Sequence, residues 1–504
     1  MNTFLISRHN FLIGFIISVL VMAVILPFVK VGGKYKLTTL TDISKSSNYI
    51  FIYKDLWKDG NSEQIRVMRN IDGQSSFLIL KNGRALYQWS SHGKIVKNDF
   101  LCTEDLNHDG LDEIYVFTHS HDSIFLNGLD LKTKITAFKP IFITRFNYYD
   151  GKIDVEVHNP QFKDIYHDGN KELIFSVFAT YSKSPRKIFE VNIKDRKVIS
   201  SPTAGTSARD FLSVCDINQD GKDEIMGEVP ALQNFPKEFT HSDSYLWLMV
   251  YNSNLKYLFE PKKLGNYYGF VFTYPLVTKA QNFIAIFCNH TGISDSSFLA
   301  IANYQGKILR YKNIKIPKVE DPYFFKVLPE GKKSSMVLYR GDGFVEYFSK
   351  FLKLTGTYQS VPFSGNFNTF DLDGDGQKEE IYFGSGTDDL VVSRYNFKDP
   401  TVIKIPGINA IGYFSEKWEN HKPEALCLSL PNRYYEFSYK KNPVYTFRFL
   451  IYGGIFIMLF FFFNLIGYYY QRLLKIRYSA EKRIQENQLR SIEMQLNPHF
   501  ILNT

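Results

Sequence analysis

Two uncharged apolar runs frame the chain. Phe11–Val29 is 19 residues long with Ser18 as its most polar member, and Phe449–Tyr470 is equally free of charge. A helix needs about 20 apolar residues to cross the hydrocarbon core at 1.5 Å per residue, so both runs are predicted to span a membrane. A cleaved signal would have a shorter apolar core followed by small residues. Here Pro27, Phe28, Val29 and Lys30 follow, which predicts an uncleaved anchor. Between the runs, short alternating stretches are separated by turn sequences such as Lys81-Asn82-Gly83 and Tyr304-Gln305-Gly306, the signature of strands and tight hairpins. After Tyr470 the period lengthens. No Pro or Gly occurs from Gln471 to Leu496, and Leu473, Ile476, Ala480 and Ile484 fall on one helical face, as do Leu489, Ile492 and Leu496. The five-residue step between the two sets breaks a strict heptad. A solvated helix, or a parallel dimeric linker leaving the membrane, is expected.

The strand-rich middle repeats itself. Five segments share an acid, two-residue alternation, Asp-Gly, then a further acid eight residues after the first: Asp55…Asp59-Gly60…Glu63, Asp105-Leu-Asn107-His-Asp109-Gly110…Glu113, Asp164…Asp168-Gly169…Glu172, Asp216-Ile-Asn218-Gln-Asp220-Gly221…Glu224 and Asp371-Leu-Asp373-Gly-Asp375-Gly376…Glu379. The first four are 50, 59 and 52 residues apart, and the 155 residues from Asp216 to Asp371 leave room for two degenerate copies, around Tyr274–Cys288 and Phe324–Tyr339. A last degenerate copy is expected around Tyr413–Leu430. Units of about 50 residues with three or four short strands each are the size of propeller blades. The predicted fold is mainly β: a seven- or eight-bladed β-propeller between two transmembrane helices, followed by a cytoplasmic helical linker.

Charge sharpens this picture. The net charge is +9, but residues 1–43 carry +3 and residues 471–504 another +3, leaving +3 for the 427 residues between. A near-neutral body with basic flanks argues for a membrane surface and against nucleic acid. Arg472, Lys475, Arg477, Lys482 and Arg483 follow the second run, against Lys440, Lys441 and Arg448 before it, so the C-terminal side is predicted to be cytoplasmic. The expected layout is a two-pass protein of the cell (inner) membrane. Residues 1–10 form a cytoplasmic N-terminus, 11–29 the first span, 30–444 an extracytoplasmic propeller, 445–470 the second span, 471–494 a cytoplasmic linker and 495–504 the start of a phosphoacceptor domain. The abundant Phe (45) and Tyr (33) favour strands. Cys102, Cys215, Cys288 and Cys427 are scattered with no CxxC, and buried thiols are expected rather than disulfides or a zinc site.

The Asp-Gly loops resemble the FG-GAP or VCBS-type repeats of integrin-like propellers, and that resemblance implies calcium. Oxygens at loop positions 1, 3, 5 and 9 with a carbonyl at 7 suit a hard cation, and Gly at 6 permits the sharp turn. Asp371, Asp373, Asp375, Gln377 (carbonyl) and Glu379 satisfy the pattern fully; Asp105, Asn107, Asp109 and Glu113, and Asp216, Asn218, Asp220 and Glu224, nearly so. Trp57 and Tyr166 stand at position 3 of the other two loops, which speaks against metal there. Closure of the hairpin without metal is the simpler alternative.

The last ten residues, Gln495-Leu-Asn-Pro-His-Phe-Ile-Leu-Asn-Thr504, resemble the phosphoacceptor motif of autolysis-sensor-like histidine kinases, matching Gln495, Asn497, Pro498, His499, Phe500 and Asn503, with conservative departures at Ile501 and Leu502. The resemblance implies that His499 accepts phosphate, that the protein is a homodimer and that a cytoplasmic response regulator receives the phosphoryl group. Imidazole is a competent phosphoryl nucleophile near neutral pH, and Pro498 is expected to bend the helix beside it. No glycine-rich phosphate loop or Asn-rich magnesium box is visible. ATP and Mg²⁺ are therefore expected to act through a downstream domain, this chain being a fragment cut as the kinase core begins. A membrane-anchored binding or adhesion receptor for an extracytoplasmic ligand or protein is the alternative. Nothing in the sequence clusters a nucleophile and base for an enzyme on the propeller.

Overall fold

The computed structural model describes all residues except 1–7, 27–28, 30–31, 47–48, 70–73, 291–296, 315–322, 329–334, 407–411 and 502–504. The chain divides into a β unit, Leu37–Lys440, and a helical unit formed by residues 1–36 and 441–504.

The β unit is a propeller of antiparallel meanders. Each blade begins with an inner hairpin, and the five Asp-Gly loops all fall at the turn of one. They join Tyr49–Lys54 to Glu63–Arg69, Leu101–Glu104 to Glu113–Ser120, Val155–Lys163 to Glu172–Ala179, Asp210–Cys215 to Glu224–Ala231, and Phe363–Phe370 to Glu379–Gly384. The degenerate copies are hairpins too: Gly269–Leu276 with Phe283–His290, Tyr323–Val327 with Met336–Arg340, and Tyr413–Glu419 with Lys422–Ser429. Counted as hydrogen-bonded sheets of four or more strands among the described residues, the propeller has seven blades. It carries eight inner hairpins because one six-stranded sheet contains two. Glu224–Ala231 pairs with Asp210–Cys215 along its first half and with Gly269–Leu276 at Val229–Ala231, so the fourth hairpin opens directly onto the fifth.

The ring closes on itself. The first strand, Tyr35–Ser44, lies in the last sheet beside Arg433–Lys441. The first and last inner hairpins are also bonded, Phe51 N–H to Ser429 Oγ (3.0 Å) and Tyr53 N–H to Ser415 Oγ (3.1 Å). Second strands are the most buried: Glu172–Ala179 is buried along its whole length. Between blades the core is aromatic, as at Phe117–Phe175 (4.5 Å between centroids) and Tyr339–Phe397 (4.4 Å). Each such ring contributes about 1.5–3 kcal/mol by leaving water, which is how the high Phe and Tyr content is used. Cys288 and Cys427 are buried in this core, and all four thiols are free.

In the helical unit, Arg8–Ile25 packs against Arg448–Ile501. Phe11 meets Phe460 edge-on at 5.1 Å and Phe15 meets Phe456 at 5.7 Å. Gly14 makes room for Asn464: a Cβ there would lie 2.5 Å from Asn464 Nδ2. Small residues at such a crossing let the backbones approach. Among the described residues one helix, over Arg448–Met494, is long and apolar enough to cross a membrane; the N-terminal apolar stretch, Phe11–Ile25, is shorter than the expected Phe11–Val29. The C-terminal helix is assigned without interruption through Ile501, so Pro498 does not end it.

Candidate functional site

The Asp-Gly loops share one internal geometry. The position-1 carboxylate accepts the amides of positions 5 and 6: from Asp59 and Gly60 onto Asp55 (3.2 and 2.9 Å), Asp109 and Gly110 onto Asp105 (3.0 and 3.1 Å), Asp168 and Gly169 onto Asp164 (3.0 and 2.9 Å), Asp220 and Gly221 onto Asp216 (3.2 and 3.0 Å), and Asp375 and Gly376 onto Asp371 (3.1 and 2.9 Å). The position-9 glutamate reaches back to the position-2 amide, as in Leu106 to Glu113 (3.0 Å), Ile217 to Glu224 (2.9 Å) and Leu372 to Glu379 (2.8 Å). Position 4 is left-handed in every copy (Lys58, His108, His167, Gln219, Gly374), as is the glycine at 6. The two acids that flank each loop therefore hold the turn by themselves, as Asp does in Asx turns.

Burial leaves these glutamates far from their ordinary state. Desolvation pushes Glu113, Glu172 and Glu224 up to about 7, and Glu379 to about 8. The charge is answered differently in each loop. In the Asp371 loop the Arg394 guanidinium bonds Asp373 (2.7 Å), Glu379 (2.6 Å) and Asp375. In the Asp55 loop Lys81 bonds Asp59 (2.6 Å) and Glu63 (3.1 Å), 4.9 Å from the Trp57 ring. Both bases come from the end of the blade's third strand. At that place the second blade has Asp130, which adds to the charge around Glu113. Lys58 instead bridges Asp105 (3.0 Å) and Asp112 (3.1 Å), and Lys132 lies 3.9 Å from Asp109. In the Asp216 loop the Asn218 amide donates to Asp220 (3.0 Å) and Glu224 (3.2 Å). In the Asp164 loop the Tyr166 hydroxyl turns away to Glu190 and the Ser253 carbonyl.

Among the described residues, two groups bring oxygens close enough to share one cation: Asp105, Asp109 and Glu113, and Asp371, Asp373 and Glu379. The donor sets suit calcium. In the second, Arg394 already supplies the positive charge, so the loop with the fullest ligand pattern has the least need of an ion. Arg394 and Lys81 lie outside the loop sequences, and their signal is a basic residue at the end of the third strand of the blade.

The predicted acceptor, His499, falls in the C-terminal helix, with its side chain outside the described residues, as is Asn503 altogether. No family model matches the chain, and no curated protein does. Among solved structures it is similar to BamB from Moraxella catarrhalis (10% identity, TM-score 0.40, covering 80% of this chain and 99% of that one) and to Saccharomyces cerevisiae Sqt1 (9%, 0.43, 81% and 100%). It is also similar to the Dos1 propeller (9%, 0.34, 80% and 95%). The propeller assignment rests on the chain's own sheet order.

Proposed function

We propose that this chain is the sensing and phosphoacceptor part of a membrane sensor histidine kinase. A propeller outside the cytoplasm binds a signal, two spans carry the change inward, and His499 accepts phosphate from ATP and passes it to a response regulator. The observation that carries the reading is the phosphoacceptor-like sequence Gln495–Asn503 at the end of a helix that starts in an uncharged apolar segment. The lipid-facing character of that segment supports it: Phe449, Leu450, Met458 and Phe461 are all more than two-thirds exposed, as side chains that meet hydrocarbon are. The N-terminal helix would be the other span, with exposed Leu12, Leu20 and Val24. Calcium has a structural role in this reading, held by Asp105, Asp109 and Glu113. Chemistry at the nucleotide needs positioned phosphates and magnesium and belongs to a kinase domain that acts on His499.

The test is incubation of native membranes with γ-labelled ATP. Acid-labile, base-stable label on this protein, lost in His499→Gln, is the expected result. Label unaffected by His499→Gln, or no label with the kinase domain present, overturns the reading in favour of a membrane-anchored binding receptor.

A further inference from the structure

The inner strands enclose a central cavity of about 1420 Å³, lined by residues from Asn98 to Phe414. On one wall the chain turns left-handed at three places, just before the second blade's inner strand and within the inner strands of the third and fourth blades. Asn98 (φ 63°), Asn159 (φ 48°) and Phe211 (φ 52°) are left-handed, and the register slips between His158 and Gln161 and between Asp210 and Ser213. Asparagine adopts this conformation readily; a phenylalanine is an outlier, and such outliers gather at functional sites. The breaks are stitched across blades. The Asn159 amide donates to Asp99 (2.9 Å), the Leu212 amide to Asn159 Oδ1 (3.0 Å) and Asn98 Nδ2 to Glu156 (2.8 Å). A bulge re-aims side chains, and here Asp99, His158 and Asp210 all line the cavity.

The wall carries excess negative charge. His158 is buried between Glu156 (Nε2, 3.5 Å) and Asp210 (Nδ1, 3.6 Å), and Arg209 is bound to Glu228. Among the groups that line the cavity itself, the carboxylates of Asp99, Asp210 and Glu380 face the ammonium groups of Lys326 and Lys378 and the imidazole of His158. Across the cavity Lys326 pairs with Glu380, which is 1% exposed and whose second oxygen, Oε2, has no hydrogen-bond partner. A buried carboxylate oxygen without a donor is costly unless something supplies one. Aromatic rings also line the cavity, with Phe211 against Phe324 at 5.3 Å, Phe324 against Phe367 at 4.3 Å, and Tyr274 in the same lining. Among the described residues, the acids that converge closely enough for a metal ion are in the Asp-Gly loops and not here.

We propose that the channel binds an organic cation bearing one or more ammonium groups, with Asp99 and Asp210 as counter-ions and Phe211, Tyr274 and Phe324 against its carbon chain. Carboxylates donate charge balance and aromatic faces attract the same cation. The cavity exceeds the usual small-ligand range, so an extended polyamine fits as well as a compact amine. As the signal for phosphotransfer this ligand rests on the kinase reading; as a binding site it does not.

The experiment is calorimetric titration of the full chain in nanodiscs with spermidine, choline and the neutral trisaccharide maltotriose, in EDTA. At least one amine is expected to bind at millimolar concentration or below and maltotriose not to bind. Asp99→Asn with Asp210→Asn keeps the amide acceptors and should weaken binding about tenfold or more. Lys378→Gln, an exposed cation at the same cavity, should leave affinity unchanged or raise it. No binding of either amine, equal binding by the double variant, equal weakening by Lys378→Gln, or binding of maltotriose instead overturns the proposal. The assay reads no phosphoryl group, so it fails or succeeds apart from the kinase reading.

Discussion

Arg394 supplies the sharpest test of how the loops work. Its guanidinium meets Asp373, Asp375 and Glu379, of which Glu379 is fully buried and Asp373 nearly so. Arg394→Ala removes the cation and leaves the acids, and breaking a buried pair from one side costs about 3–5 kcal/mol. With an unfolding entropy of about 2.1 cal/mol/K per residue, taken over the propeller Leu37–Lys440, that is a fall in Tm of roughly 4–6 °C. The vacated loop then has the full calcium ligand set. If its Kd is about 10⁻⁵ M, 1 mM calcium returns about 2.7 kcal/mol by mass action. Thermal unfolding of the purified protein, with EDTA and with 1 mM calcium, reads both numbers. The expected pattern is a destabilised variant in EDTA that calcium largely restores, with little calcium response from this loop in the parent. An unchanged Tm in EDTA would refute the role of Arg394; a loss that calcium leaves untouched would refute the exchange of an internal cation for an external one.

The buried glutamates make stability depend on pH. Glu113, Glu172 and Glu224 titrate at about 7 in the folded chain against an ordinary value of 4.5, so the folded state holds more protons. Their contribution is complete below about 4.5 and is lost as pH rises through about 7. In EDTA the propeller should melt higher at pH 5 than at pH 8, and Glu224→Gln, which keeps an acceptor for Ile217, should raise Tm at pH 8 only; a flat profile would contradict the burial argument. Gly14→Leu should separate the two helices, since even a Cβ lies 2.5 Å from Asn464 Nδ2. Oxidative cross-linking of cysteines placed at positions 11 and 460 should then be lost, and persistence of the cross-link would show that the pair does not depend on this close approach.

The repeat was legible because Asp-Gly turn chemistry is local: one carboxylate, two amides and a left-handed residue within six positions. The same locality hid the cations, since Arg394 and Lys81 return to their loops from two strands away. It also hid the channel. Asp99, His158 and Asp210 share no motif, and only the breaks at Asn98, Asn159 and Phe211 bring them to one wall; a left-handed phenylalanine leaves no trace in the sequence. The helix Arg448–Ile501 is legible where composition has no competing signal, with no Pro or Gly from Gln471 to Leu496. Hydropathy alone extends the first apolar run to Val29, past the helix Arg8–Ile25; residues 27–28 lie outside the described residues.

The closure of the ring by Tyr35–Ser44 sets an order on synthesis. This strand leaves the ribosome well before its partner, Arg433–Lys441, which is among the last of the propeller. Until then it is an unpaired edge, the kind of surface on which nascent chains stick to one another. Its composition suits the wait: Thr38, Thr39, Thr41 and Asp42 keep it polar, and once paired it buries only Tyr35 and Leu37. The last step of assembly is thus a soluble thread meeting a finished edge.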